Sequence, residues 1–323
     1  MKILITGCAG FIGFHLSKKL LKKSNNIIYG IDSINNYYDI NLKKSRLKIL
    51  SGFKNFKFKK VNINNKKLIK NQFKLNNYDY VIHLAAQAGV RHSIDYPEEY
   101  LKVNIDGFFN ILDLSKTFKV KHFIYASTSS VYGFSKQFPL REEFNTDRPE
   151  SFYAATKKSN EVMAYAYSTI YRLPSTGLRF FTVYGNYGRP DMALFKFVKN
   201  IINNKSIDIY NRGNHERDFT HVDDVVLAIS KLIKMPPKGK VPYEIYNIGG
   251  EKPKKLTDFI SIIEKYTNKK SKRVFLPFQK GDVDKTHSST AKLRKKIRIE
   301  SKMNINTGIK SFVNWYKSFY KIN

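Results

Sequence analysis

One cysteine, Cys8, is all the chain contains. It therefore has no internal disulfide, and a reducing, cytoplasmic compartment is expected. No apolar run reaches the roughly 18 residues of a membrane span, so no membrane partner is expected. The stretch before the first glycine, Met1-Lys2-Ile3-Leu4-Ile5-Thr6, is too short for the apolar region of a signal peptide. The seven histidines show no metal-ligand spacing, and no metal is expected. Internal repeats and low-complexity stretches are absent. Acidic residues are scarce, 26 against 58 Lys and Arg, which leaves a formal charge of +32. A nucleic-acid reader would gather that charge on one element or tail. Here the lysines run along the whole chain, in short pairs (18–19, 22–23, 43–44, 59–60, 66–67) expected at helix ends, exposed faces and loops. The excess reads as solvated surface with no nucleic-acid partner, able at most to steer an anionic substrate.

What is present is a chain of 323 residues, 42% hydrophobic, long enough for one large or two associated domains. Residues 2–6 form a short apolar run consistent with a buried parallel strand. Gly7-Cys8-Ala9-Gly10-Phe11-Ile12-Gly13 follows, and then a helical pattern with apolar residues at Phe14, Leu16, Leu20 and Leu21. A glycine turn between strand and helix lets the backbone approach a pyrophosphate, which the helix N-terminus attracts. A second strand at 27–31 ends in Asp32, spaced to bind adenosine ribose hydroxyls, which favours NAD over NADP. Strands are expected at 56–61, 79–84 and 121–126, with a helix over 97–116 begun by Pro97. This alternation implies an α/β fold: a Rossmann-type doubly wound parallel sheet with a smaller C-terminal substrate-binding domain. The expected division is 1–182 with 217–249 for the first domain, and 183–216 with 250–323 for the second. In the latter part, helices are expected at 192–203, 256–266 and 309–320 and a short strand at 207–210. Residues 222–234 and 244–248 are expected to return to the main sheet domain, and Trp315 to pack with Phe312 and Phe319 in a core.

The chemistry is concentrated in Ser151-Phe152-Tyr153-Ala154-Ala155-Thr156-Lys157. Tyr153 and Lys157 lie one helical turn apart on one face. A phenol is a poor base near neutrality, and a fixed ammonium beside it favours the phenolate. The spacing alone is weak, since it recurs by chance on many helices. Its context is stronger: Ser127-Thr128-Ser129-Ser130 stands at the carboxyl end of a strand, where open parallel sheets bind ligands.

These motifs resemble the extended short-chain dehydrogenase/reductase family. Further stretches are similar to UDP-glucuronate 4-epimerases within it: 83–91 (His-Leu-Ala-Ala-Gln-Ala-Gly-Val-Arg), 178–185, Gly188-Arg189-Pro190-Asp191-Met192-Ala193, Arg217-Asp218-Phe219-Thr220 and Tyr246-Asn247-Ile248-Gly249. The similarity runs from Met1 to about Tyr320. It implies an NAD-dependent 4-epimerase converting UDP-glucuronate to UDP-galacturonate through a transient 4-keto sugar. Thr128, Tyr153 and Lys157 would be catalytic, with Lys157 lowering the Tyr153 pKa. NAD would contact Gly7, Gly10, Phe11, Ile12, Gly13, Asp32, Asn62, Ile63, Leu84, Ala85, Ala86, Gln87, Tyr153 and Lys157. The UDP-sugar would contact Thr128, Ser129, Ser130, Thr182, Arg189, Ala193, Tyr210, Arg217 and Asp282. Within that set Tyr210 is expected at the uracil, Asp282 at the uridine ribose and Arg217 at the pyrophosphate. Asn62 stands where relatives usually carry an acid. Arg189 offers a planar fork for the sugar carboxylate, or else a structural ion pair with Asp191. The alternatives are an epimerase of neutral UDP-hexoses, a decarboxylase, or a 4,6-dehydratase, which would need an Asp-Glu pair where Ser129-Ser130 stands. The resemblance also implies a homodimer formed through helices near 98–116 and 154–171.

Overall fold

A computed structural model describes residues 1–298 and 303–322. The first half alternates strand and helix: β1 (Lys2–Thr6), α1 (Phe11–Leu21), β2 (Ile27–Asp32), α2 (Ile40–Ser51), β3 (Phe56–Lys60), α3 (Lys66–Asn76) and β4 (Tyr80–His83). There follow α4 (His92–Asp95), α5 (Pro97–Tyr100), a π-helical segment (Leu101–Gly107), α6 (Phe108–Thr117), β5 (His122–Thr128), α7 (Phe152–Tyr171) and β6 (Ser175–Phe180). The remainder comprises β7 (Thr182–Tyr184), α8 (Ala193–Ile202), β8 (Ser206–Ile209), β9 (Glu216–Arg217), β10 (Phe219–His221), α9 (Val222–Leu232), β11 (Tyr243–Ile248), β12 (Lys254–Lys255), α10 (Leu256–Thr267), β13 (Lys272–Phe275), α11 (Ala291–Ile297) and α12 (Ile305–Tyr320).

Seven strands form one sheet in the order β11-β6-β5-β4-β1-β2-β3, every neighbouring pair parallel. Side chains of β1 alternate between the two faces: Ile3 and Ile5 pack with Phe14, Leu20, Val225 and Ile229, whereas Leu4 packs with Phe73, Phe108, Ile111 and Ala164. Helices therefore cover both faces, the doubly wound arrangement that the unbroken apolar strands predict. The chain leaves β1 towards β2 and β3 and then crosses back to β4. A crevice opens at that reversal, beyond the carboxyl ends of the strands.

A separate core joins α8, α10, α12 and β8, where Phe219 and Phe259 stack at 4.0 Å and Trp315 packs against Tyr187, Phe312 and Phe319. Leu293 and Ile297 of α11 belong to the sheet's core, and Leu42 of α2 belongs to the second core. The helix expected over 97–116 is interrupted by its π segment. That segment seats Asn104, whose amide bonds both the N–H and the C=O of Gln87 at 2.8 and 3.0 Å and the Thr156 hydroxyl at 3.1 Å. Extra width in the helix is thus used to lock the loop after β4 against α7.

Asp218, wholly buried between β9 and β10, ties three distant segments together. Its carboxylate accepts from the N–H groups of Gly250 (2.6 Å), Glu251 (3.1 Å) and Ser288 (2.8 Å), and from the Ser288 hydroxyl. Asp218→Ala would strand these buried donors, and the expected loss is about 3–5 kcal/mol. Asp218→Asn, which keeps an acceptor oxygen, should lose less. Denaturant midpoints of the two variants check this ordering; equal midpoints for Asp218→Ala and wild type would contradict it.

Candidate active site

A cavity of about 910 Å³ lies over the carboxyl ends of the central strands, and every site residue expected from the sequence lines it. At its cofactor end Gly7 has φ +72°, and a Cβ there would meet the Ala85 nitrogen at 2.8 Å. A Cβ on Gly13 would lie 2.1 Å from the Gly7 carbonyl oxygen. Only glycine permits a turn this tight. No side chain caps α1 at Gly10, so the first-turn N–H groups are left for a ligand. Asp32, ending β2, accepts from the N–H of Ala9 (3.0 Å) and of Ile34 (2.9 Å), which fixes its carboxylate beside the glycine turn. Leu84, Ala85, Ala86 and Gln87 follow β4, while Asn62 and Ile63 follow β3; Asn62 uses its side-chain oxygen to cap the N–H of Asn64 at 3.0 Å. A cradle that a Cβ would fill, an open helix N-terminus and a fixed acid beyond it suit a dinucleotide.

At the centre, Ser151 caps α7 by accepting from the Ala154 N–H (3.2 Å), which sets Tyr153 and Lys157 in its first two turns. The Tyr153 N–H donates to Ser93 Oγ at 3.1 Å. Burial pushes the Tyr153 phenol above its ordinary pKa; the Arg189 guanidinium and a hydrogen bond with Thr128 pull the other way. The Arg189 guanidinium thus opposes burial at Tyr153, a part that the sequence did not assign to it. Burial lowers Lys157 itself to about 8, opposed by the Glu161 carboxylate one turn further along α7. His83, bonded to Thr6 Oγ1 at 2.8 Å, is held neutral: burial first, and Lys157 second, bring it to about 3.

At the other end the arginines are already paired. Arg189 grips Asp191 with both Nε (3.0 Å) and Nη2, the ion pair that stood as the alternative to a free carboxylate binder. Tyr37 lies 3.5 Å from the same carboxylate. Asp282 accepts from Arg217 at 2.8 Å and faces Arg91 at 3.6 Å, so its carboxylate is engaged by two cations. Arg91 also sits over the Tyr210 ring, 4.9 Å from its centre. Thr182, Ser129, Ser130 and Ala193 complete the wall.

Sequence reasoning missed Tyr37, Arg91 and Lys43, which also line the cavity. Lys43 overturns the expectation that the paired lysines are solvated: it is buried and donates to the Asn35 carbonyl at 2.7 Å. Its spacing on α2, one position after Leu42 and seven before Leu50, was the available signal.

Residues 3–249 match the model of the NAD dependent epimerase/dehydratase family. The chain belongs to that family. It is 48% identical to protein CapI of Staphylococcus aureus, with 99% of this chain and 100% of the relative covered. It is 42% identical to a UDP-glucuronate 4-epimerase of Thermodesulfobacterium geofontis, over 97% and 95% of the two chains. Its fold superposes with TM-score 0.92 on a Bacillus cereus UDP-glucuronic acid 4-epimerase solved with UDP-glucuronic acid and NAD, 33% identical over 99% and 100%.

Asp32 should repel the 2′-phosphate of NADP. Asp32→Ala is expected to weaken NAD by roughly tenfold, about 1.4 kcal/mol, while relaxing discrimination against NADP. Titration of both cofactors into wild type and variant checks it; equal wild-type affinities would contradict the assignment.

Proposed function

We propose that the protein is an NAD-dependent 4-epimerase that interconverts UDP-glucuronate and UDP-galacturonate. The observation that carries this reading is a single cavity lined by the glycine cradle, the Thr128–Tyr153–Lys157 group and, beyond them, Arg189 and Arg217. Homologues along almost the whole chain carry that activity in their names, and the structural neighbour binds both ligands. The chemistry that bound NAD supplies is reversible hydride transfer at C4, and return of hydride to the opposite face inverts that carbon. Tyr153, as phenolate, takes the proton of the 4-hydroxyl and later returns it. Thr128, bonded to Tyr153, bonds the same hydroxyl and guides its proton. Lys157 supplies a buried positive charge and would bond the nicotinamide ribose of NAD. Arg217 answers the pyrophosphate, with Tyr210 at the uracil.

A 4-keto glucuronate is a β-keto acid, and it loses CO₂ when the bond to its carboxylate aligns with the new π system. An epimerase must hold that carboxylate out of alignment. Ser129, Ser130 and Thr182 offer hydroxyls, and Arg189 offers two N–H groups, presented through its bond to Asp191.

The test is incubation with UDP-glucuronate, UDP-glucose and their acetamido analogues, with product analysis. UDP-galacturonate is expected from wild type, and a preference for UDP-glucose would refute the substrate. Tyr153→Phe and Lys157→Ala, folded by circular dichroism, should each lose about 10²-fold or more. Arg189→Ala should lower epimerisation and raise the fraction of UDP-pentose.

We also infer a homodimer in the cytoplasm. Val162, Tyr165, Ile170 and Tyr171 of α7 and Phe109 of α6 are exposed apolar side chains on adjacent helices, a face suited to a second copy. The single cysteine is in keeping with that compartment. Sedimentation at micromolar concentration should give twice the chain mass, and a monomer would refute the dimer.

A further inference from the structure

Beneath Tyr153 and Lys157 lies a group of buried charges outside the cavity wall. Glu161, one turn beyond Lys157 on α7, is buried and absent from the cavity wall. Its Oε1 accepts from Ser127 Oγ (2.6 Å) and Arg179 Nε (2.9 Å), and its Oε2 from Arg179 Nη2 (2.8 Å). Ser127 and Arg179 face each other across β5 and β6, in the register that also pairs Thr128 with Phe180. The carboxylate thus joins three elements at the point where β5 delivers its last residue, Thr128, to the site.

We propose that Glu161 is a positioning residue for the Tyr153–Lys157 chemistry: clamped by Arg179 and Ser127, it fixes the end of β5 against α7 and is the standing counter-charge for Lys157. This rests on the epimerase reading for its kinetic consequences only. A buried ion pair is weak evidence for stability by itself, because apolar residues of similar volume often serve as well. The pair here has a further contact, to the residue preceding Thr128, and its carboxylate stands one turn along α7 from Lys157.

The surrounding groups leave Glu161 as the negative charge that answers Lys157. From β4 comes His83, neutral; from β5, Tyr125, whose hydroxyl meets that of Tyr243 at 2.8 Å; from β11, Tyr243, which donates to the Glu161 carbonyl at 3.1 Å. From β6 comes Arg179, the second cation. Glu142 lies on the far side of Arg179, taking Nη1 on its carbonyl (3.1 Å), while its carboxylate accepts from the Asn247 N–H (2.8 Å). Tyr153 shares the helix and is faced by Arg189, Tyr100 and Thr128. Removing Glu161 leaves Lys157 buried without the carboxylate one turn along α7 and leaves Arg179 without its partner. Desolvation, no longer opposed by a carboxylate, then favours the neutral amine, so Lys157 surrenders its proton at lower pH than in wild type.

The experiment compares wild type, Glu161→Gln and the apolar double variant Glu161→Leu/Arg179→Met, which keeps buried volume without charge. Two readouts are used. One is the titration of Lys157 in cofactor-free protein labelled with [ε-¹³C]lysine, its signal identified by its loss in Lys157→Arg. The other is the pH profile of kcat and KM with UDP-glucuronate. In Glu161→Gln the Lys157 titration and the alkaline limb of kcat should both move down by about one pH unit, a tenfold change in protonation, with KM within about twofold. The double variant should fold and still show lower kcat, because no carboxylate holds Ser127 and none faces Lys157. If Glu161→Gln does not fold, the double variant decides. A Lys157 titration and a kcat profile that match wild type in the folded variants would overturn the proposal and make the pair purely structural. Absence of epimerisation by wild type would refute the substrate reading, while the lysine titration would still decide the role of Glu161.

Discussion

The close approach of the Gly7–Gly13 turn to the end of β4 is the contact on which the rest of the site depends. With backbone atoms of Ala85 at 2.8 Å from where a Gly7 Cβ would stand, the first and fourth strands deliver their ends to one place. Two oppositely charged side chains then hold the turn. Asp32 accepts the Ala9 N–H from below, and Arg46, wholly buried, donates to the Ala9 carbonyl at 2.7 Å. The other nitrogen of Arg46 donates to the Tyr187 carbonyl at 2.7 Å. A residue of α2 therefore couples the cofactor end to the segment that carries Arg189, two residues beyond Tyr187. Backbone carbonyls and the Tyr38 hydroxyl, 2.7 Å away, replace the water of its two Nη atoms, while the buried Nε has no hydrogen-bond partner among the described residues.

The arginines that face the cavity share a second feature: each is presented by a carboxylate. Asp191 holds Arg189, and Asp282 holds Arg217 with Arg91 beside it. A free arginine in a crevice samples many rotamers, and ordering it on binding would cost about 0.5–1.5 kcal/mol. Pairing fixes the fork before the ligand arrives. The same pairing lowers the net field at the site, so an anionic ligand meets aimed donors rather than bare charge.

How far the site could be read from sequence follows from how local its signals are. The glycine turn, Asp32 at the end of β2, the Tyr153–Lys157 step and the strands with continuous apolar runs are all short-range patterns, and all stand where expected. Elements held by long-range contacts were not legible. α2 hides its inner face behind Lys43 and Arg46, which count as polar in any periodicity but are buried. β13 is exposed along its whole length and is a strand only because β8 lies beside it. Arg189 and Asp191 are two residues apart, so their pair could be foreseen as an alternative. The partners of Asp282 lie 65 and 191 residues away in sequence, and no spacing rule reaches them.

The excess of basic residues resolves along the same line. Among the described residues only Lys43, Arg46, Lys157 and Arg179 are buried cations, out of 58 Lys and Arg in the chain. Burying an ammonium or guanidinium costs several kcal/mol unless partners replace its hydration. That penalty sorts the cations: those without fixed acceptors stay in water, whatever their number. The four that are buried each line or support the cavity, and for Lys43, Arg46 and Arg179 the acceptors are hydrogen-bonded carbonyls or carboxylates. Lys157 differs, since its nearest charge compensation comes through space from Glu161 and its pKa falls to about 8. A lysine poised that close to neutrality is set by its surroundings, which makes the charge beneath it a determinant of the chemistry above.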